Sequence, residues 1–216
     1  MKKLAIFDFD GTLFDSIHDV LICFNKTLEF YGFPTLTREE LIPCLGGNID
    51  EITSLVLGEN SSPENVEKVK ESYLELYNPS KKELTVPFEN AHEVLKRLQD
   101  NNILLAVNSN RLTYSLEELV GKYFSDIDFI GIEGHSYGNP SKPDPYGANR
   151  IIEKANVDAD EAVYIGDSIT DIMTAQNAGI DCILVKWGYA KKEDLQNDYP
   201  SKVVDDIEEL VEIIVQ

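Results

Sequence analysis

The stretch Leu4-Ala5-Ile6-Phe7-Asp8-Phe9-Asp10-Gly11-Thr12, near the start of the chain, decides how the rest is read. Four apolar residues run straight into Asp8, then Asp10, then a Gly-Thr turn. A buried strand therefore ends in two carboxylates, and alternation along an extended chain points both to the same side. Packing two carboxylates together is costly without a cation. Alone, the pattern also fits a solvated strand end followed by Asp-Gly turn chemistry.

Further apolar runs follow at residues 103–108, 129–132, 162–166 and 182–186. Most are continuous, not alternating, which marks strands buried on both faces of a parallel sheet. Between them, Ala91, Val94, Leu95 and Leu98 share one helical face, as do Leu116, Leu119 and Val120, and then Ile207, Leu210, Val211 and Ile214. Alternating strands and helices predict a doubly wound, Rossmann-like α/β sheet.

Residues 16–82 break that alternation, with no strand pattern. Ile17, Val20, Leu21, Phe24 and Leu28 form an amphipathic face, and Gly32 is a natural helix stop. Thr37 with Glu40 has the spacing of a capping box. Helices are expected over 50–57 and 63–77. The expected organisation is an α/β core, 1–15 and 84–216, with an inserted all-helical cap, 16–83. In an open α/β sheet ligands bind beyond the carboxyl ends of the strands, so an insertion there is placed to act as a lid.

The chain has 216 residues, 43% of them hydrophobic, enough for one ordinary core with an insertion. Net charge is −20. A nucleic-acid backbone and an anionic membrane surface are both disfavoured partners for such a surface, and no basic stripe offsets it. A small anionic substrate requires locally concentrated positive charge, which a metal ion supplies. Cys23, Cys44 and Cys182 are odd in number and widely spaced, so they read as buried thiols, not as a disulfide framework or zinc site. The first apolar run is too short for a signal peptide, and no run reaches the ~20 residues of a membrane span. A cytoplasmic protein is expected.

Three more segments carry chemistry. Val163-Tyr164-Ile165-Gly166-Asp167 is a second apolar run ending in an acid, and Asp171 follows four residues later, where a helix begins. Asp171 alone also suits a helix N-cap. Acids at two strand ends together form an oxygen-rich site for a hard cation such as Mg2+. Leu105-Ala106-Val107-Asn108-Ser109-Asn110-Arg111 brings a hydroxyl to a third strand end. Pro140-Ser141-Lys142-Pro143 places a lysine in a backbone that prolines restrict.

In order, Asp-x-Asp-Gly-Thr, Ser-Asn, Lys-Pro and Gly-Asp-x-x-x-Asp, spread over nearly the whole chain, resemble the haloacid dehalogenase superfamily of phosphohydrolases. The insertion after Asp15-Ser16, with Leu45-Gly46-Gly47, Ala178-Gly179-Ile180 and Trp187-Gly188-Tyr189, resembles its phosphoglycolate phosphatase-like branch. Departures are Pro87-Phe88 where the family often has Pro-Gly, Arg111 where it often has Lys, and Gly46-Gly47-Asn48 where it often has Gly-Asn-Gly. The resemblance implies a Mg2+-dependent phosphatase acting on a small phosphorylated metabolite. It assigns Asp8 as nucleophile and Asp10 as proton donor and acceptor. Ser109 and Lys142 join them in catalysis, and Ser109, Asn110, Arg111 and Lys142 bind substrate. Mg2+ falls to Asp8, the Asp10 carbonyl and Asp167, with Asp171 in support. Phosphoglycolate-type monoesters head the implied substrates, with nucleotides and pyrophosphate as further members. A phosphosugar mutase of the β-phosphoglucomutase type shares all four motifs, and His18 stands two residues earlier than the histidine such mutases tend to carry. A phosphate-sensing or phospho-accepting module is the non-enzyme alternative; receiver modules lack both the insertion and the second acid.

Overall fold

The computed structural model describes residues 2–216. In chain order it contains β1 (Leu4–Phe7), β2 (Phe14–Asp15), α1 (Ile17–Tyr31), α2 (Arg38–Leu41), α3 (Ile49–Leu57) and α4 (Pro63–Tyr77). Then come β3 (Val86–Pro87), α5 (Ala91–Asp100), β4 (Leu104–Leu112), α6 (Thr113–Tyr123), β5 (Phe129–His135) and α7 (Tyr146–Ala155). The chain ends with β6 (Ala162–Gly166), α8 (Ile169–Ala178), β7 (Asp181–Val185), β8 (Lys202–Val204) and α9 (Glu209–Val215). It divides into two compact units, residues 1–14 with 87–216, and residues 15–86.

The first unit is built on a six-stranded parallel sheet in the order β5-β4-β1-β6-β7-β8. Side chains alternate between two apolar layers. Ala5, Phe7, Leu105, Val107, Val163 and Ile165 pack with residues of α5, α6 and α9. Leu4, Ile6, Ala106, Tyr164 and Cys182 pack with residues of α7 and α8. Both faces are covered, which is why the strands read as unbroken apolar runs. The chain builds outward from β1 through β4 to β5, then returns to the other side of β1 at β6. The sheet order thus reverses at β1, and the carboxyl ends of β4, β1 and β6 lie side by side.

Several strand bounds differ from the sequence reading, and the short strands β2, β3 and β8 were not read at all. β1 stops at Phe7 because the backbone after Asp8 closes a turn, with Leu13 and Phe14 N–H both donating to the Phe9 carbonyl. β4 runs on to Leu112 across an irregularity in its pairing with β5, so Ser109, Asn110 and Arg111 lie within the strand. β8 is a three-residue edge strand with two exposed positions, too short and too polar for a hydrophobic pattern to reveal.

In the helical unit, α1 ends at Gly32, whose positive φ of 73° suits glycine and lets the Phe33 N–H reach the Leu28 carbonyl. The Thr37–Glu40 capping box forms as the spacing predicts. Phe24 stacks on Tyr73 at 4.0 Å, and Tyr73 on Tyr77 at 5.3 Å, joining α1 to α4. Asp19 accepts from the Leu84 N–H and the Thr85 hydroxyl, at 3.0 and 2.8 Å. The three cysteines are buried. Among the described residues no helix is long and apolar enough to cross a membrane.

Candidate active site

Acids, a hydroxyl and a lysine meet where the sheet order reverses. Asp8 follows β1 and is buried; its N–H still donates to the Ile165 carbonyl, continuing the ladder. Its Oδ1 accepts from Lys142 Nζ at 2.7 Å, and the same ammonium donates to Asp171 Oδ1 at 2.7 Å. Lys142 arrives from the loop between β5 and α7, and its Nζ also lies 5.7 Å from the Tyr164 ring centre. The Tyr164 hydroxyl in turn donates to the Asn108 carbonyl at 2.9 Å, tying β6 to β4 below the lysine.

Asp171 is the third residue of α8, and the helix cap is Ser168. The Asp171 Oδ2 accepts from the Ser168 hydroxyl at 2.7 Å and from the N–H groups of Asp167 and Ser168, both at 3.1 Å. With Lys142 on Oδ1, both its oxygens are occupied by the protein. Asp167 is buried at the end of β6, and its Oδ2 accepts from the Tyr189 N–H at 2.5 Å. Gly11 (φ 85°) and Gly188 press their backbones against this carboxylate; a Cβ on either would collide with Asp167.

The electrostatics follow from burial. Burial first, and then the Asp171 charge, push Asp8 up from the ordinary aspartate range to about 7, against the pull of Lys142. The same two causes hold Asp167 well above its usual range. Burial works against charge on Lys142, but the Asp171 and Asp8 carboxylates outweigh it and raise the ammonium well above an ordinary lysine. One carboxylate oxygen from each of Asp8, Asp167 and Asp171 lies within 4.8 Å of the other two. Three buried carboxylates face one ammonium, with an all-oxygen donor set; that excess charge and chemistry fit a hard divalent cation.

The remaining sequence-selected residues lie around this cluster. Ser109 is buried on β4, and its hydroxyl accepts from the Arg111 N–H at 3.2 Å. Asn110 and Arg111, read as substrate-binding, turn their side chains to the protein. The Asn110 amide donates to the Lys142 carbonyl at 3.1 Å and accepts from its N–H at 2.8 Å, a two-point grip on the loop that delivers the lysine. Arg111 lies against both oxygens of Asp10, so the Asp10 side chain is engaged there and not in the three-acid cluster. Sequence reasoning passed over Tyr164 and Asn108, for which no motif signal existed. It noticed Gly188 and Tyr189 only as part of a resemblance, although a glycine beside an aromatic after a strand end was the available signal.

Comparison with known proteins shows the family. A family model described as haloacid dehalogenase-like hydrolase matches residues 5–185. The chain is 28% identical over 224 residues to a phosphoglycolate phosphatase of Vibrio cholerae, covering 99% of this chain and 97% of that protein. It is 28% identical over 215 residues to a phosphoglycolate phosphatase of Pseudomonas syringae pv. tomato, covering 98% of this chain and 79% of that protein. The fold matches a solved haloacid dehalogenase-like family protein of Streptococcus pneumoniae at a TM-score of 0.87, with 20% identity and 98% of each chain covered.

Proposed function

The chain belongs to the haloacid dehalogenase-like hydrolases, and we propose that it is a Mg2+-dependent phosphatase of a small phosphomonoester of the phosphoglycolate type. The observation that carries this reading is the buried Asp8 carboxylate bridged by Lys142 to Asp171 at the point where the sheet order reverses. A carboxylate so placed is a nucleophile held in one orientation.

An Asp8 oxygen attacks phosphorus while the bond from phosphorus to the leaving oxygen breaks, and Asp10 gives that oxygen its proton. The product is the alcohol and an aspartyl-phosphate. Water then attacks the same phosphorus and gives a proton to Asp10. The bond to Asp8 breaks, releasing inorganic phosphate and restoring both aspartates. Lys142 counters negative charge on Asp8 and on the phosphoryl oxygens, and the Ser109 hydroxyl hydrogen-bonds those oxygens. Asn110 serves by fixing the Lys142 backbone, and Asp171 by fixing its ammonium. Asp8, the Asp10 carbonyl and Asp167 would hold Mg2+, which when bound supplies charge neutralisation between carboxylates and phosphate. The helical unit, residues 15–86, is assigned the choice of leaving group. The curated relatives named phosphoglycolate phosphatase support that substrate class.

The test is phosphate release from 2-phosphoglycolate, other small phosphomonoesters, nucleoside monophosphates and pyrophosphate, with and without Mg2+, beside Asp8→Asn. Metal-dependent turnover that falls by at least about 10⁴-fold in the variant is expected. Turnover of every substrate by Asp8→Asn at the wild-type rate would overturn the assignment.

A further inference from the structure

Arg111 is held on every side. Its Nε donates to Asp10 Oδ2 at 3.0 Å and its Nη2 to Asp10 Oδ1 at 2.5 Å, the parallel fork that guanidinium and carboxylate form best. Nη1 donates to the Ser115 hydroxyl in the first part of α6 at 3.3 Å, and the guanidinium carbon lies 5.3 Å from the Phe9 ring centre. The arginine side chain is only 7% exposed, whereas the Asp10 side chain is 31% exposed. Burial therefore does not fix the Asp10 carboxylate, and the turn that carries it fixes only its backbone. A short side chain with two free torsions would otherwise sample several staggered positions.

We infer that Arg111 is the positioning residue of Asp10: its anchored guanidinium holds the carboxylate in the one place from which it serves the reacting oxygen. This rests on the role proposed above for Asp10. An arginine that bound substrate directly would present its fork outward; here both nitrogens of the fork face Asp10. Lysine would hold the carboxylate less firmly, because an ammonium lacks the planar two-nitrogen fork that fixes both oxygens at once.

The experiment compares wild type, Arg111→Gln, Arg111→Lys, Asp10→Asn and the double variant Asp10→Asn/Arg111→Gln. Two substrates are used: 2-phosphoglycolate, whose alkoxide needs a proton to leave, and p-nitrophenyl phosphate, whose phenolate does not. For Arg111→Gln we expect kcat on 2-phosphoglycolate to fall about 100-fold with KM within about twofold, the scale of a misplaced proton-transfer group. With p-nitrophenyl phosphate the first turnover persists and is followed by slow turnover, because release of phosphate from Asp8 still needs Asp10. That appears as a burst of nitrophenolate. Arg111→Lys recovers little. On the Asp10→Asn background, Arg111→Gln adds less than about twofold, since it acts only through Asp10. A raised KM with kcat retained would overturn the inference in favour of direct substrate binding. So would full additivity in the double variant, or an equal loss of first turnover on both substrates. No turnover of either substrate by wild type would instead bring down the phosphatase reading itself, and this inference with it.

Discussion

The helix caps of the helical unit and the strand ends of the α/β unit satisfy their polar groups in different ways. In the helical unit the recurrent device is local: Thr37 with Glu40, Asn48 with Glu51, and Ser62 with Asn65 each close a cap across three residues. At the strand ends of the α/β unit the partners are remote. Lys142 reaches Asp8 across 134 residues of sequence and Asp171 across 29, and Arg111 reaches Asp10 across 101. A local cap can be changed without consulting the rest of the chain. The strand-end cluster is one coupled object, in which removing Lys142 strands two buried carboxylates. A protein built this way can hold its chemistry fixed while its helical surface changes.

Lys142→Met tests the coupled side, with the largest expected effect. It keeps volume but leaves Asp8 and Asp171 without their shared counter-charge. Urea denaturation in metal-free buffer at pH 8 should register a loss of about 3–5 kcal/mol, the scale for breaking one partner out of a buried pair. Phosphate release should fall at least about 10³-fold. A loss below about 1 kcal/mol would mean that the cluster is no more coupled than a helix cap, and the contrast between the units would fail.

The same coupling gives the cluster a pH signature. Asp8, near 3.8 when unfolded, is raised to about 7 when folded. Between those values the folded chain holds a proton that the unfolded chain has released, so stability falls as pH rises through that window. Metal-free protein should melt at a higher temperature at pH 5 than at pH 8, and Asp8→Asn should remove part of that slope. Mg2+ at about 100 times its Kd adds about 2.7 kcal/mol, or roughly 5–10 °C in Tm for a chain of this size. The shift should be larger at pH 8, where no proton competes for the carboxylate. Equal Mg2+ shifts at pH 5 and pH 8, with an unaltered slope in Asp8→Asn, would place the metal away from Asp8.

What could be read from the sequence divides along the same line. The Thr37–Glu40 box, the Gly32 stop and the helix over 63–77 were legible because each is decided by residues a few positions apart. The run over 162–166 was legible because burial on both faces leaves an unbroken apolar signature. β8 was not, since Lys202-Val203-Val204 has neither length nor pattern. In the site, Asp8, Asp10 and Asp167 stood out by following apolar runs, whereas Ser109 and Lys142 stood out only through the ordered motifs of the family resemblance. Their partners did not. That Asn110 grips the Lys142 backbone, or that Arg111 faces Asp10, depends on β4 lying beside β1 and on the path of the 136–145 loop. Spacing along one chain carries no record of either.

Asn48→Ala, in the helical unit, should have the smallest effect. The Asn48 Oδ1 accepts from the Asp50 and Glu51 N–H groups, each at 3.0 Å, and its own N–H donates to Glu51 Oε2 at 3.0 Å. Alanine removes the first two bonds and leaves the third, so the expected cost is about 1 kcal/mol, and Asn48→Asp should recover most of it. Turnover of p-nitrophenyl phosphate, which makes little demand on leaving-group recognition, should stay within about twofold. KM for 2-phosphoglycolate is the parameter free to move, because Asn48 follows the Gly46-Gly47 turn in the unit assigned to substrate choice. A tenfold loss of kcat on p-nitrophenyl phosphate from this one exposed cap would mean that the helical unit takes part in the chemical step. The division between a fixed reaction centre and a replaceable surface would then have to be redrawn to include α3.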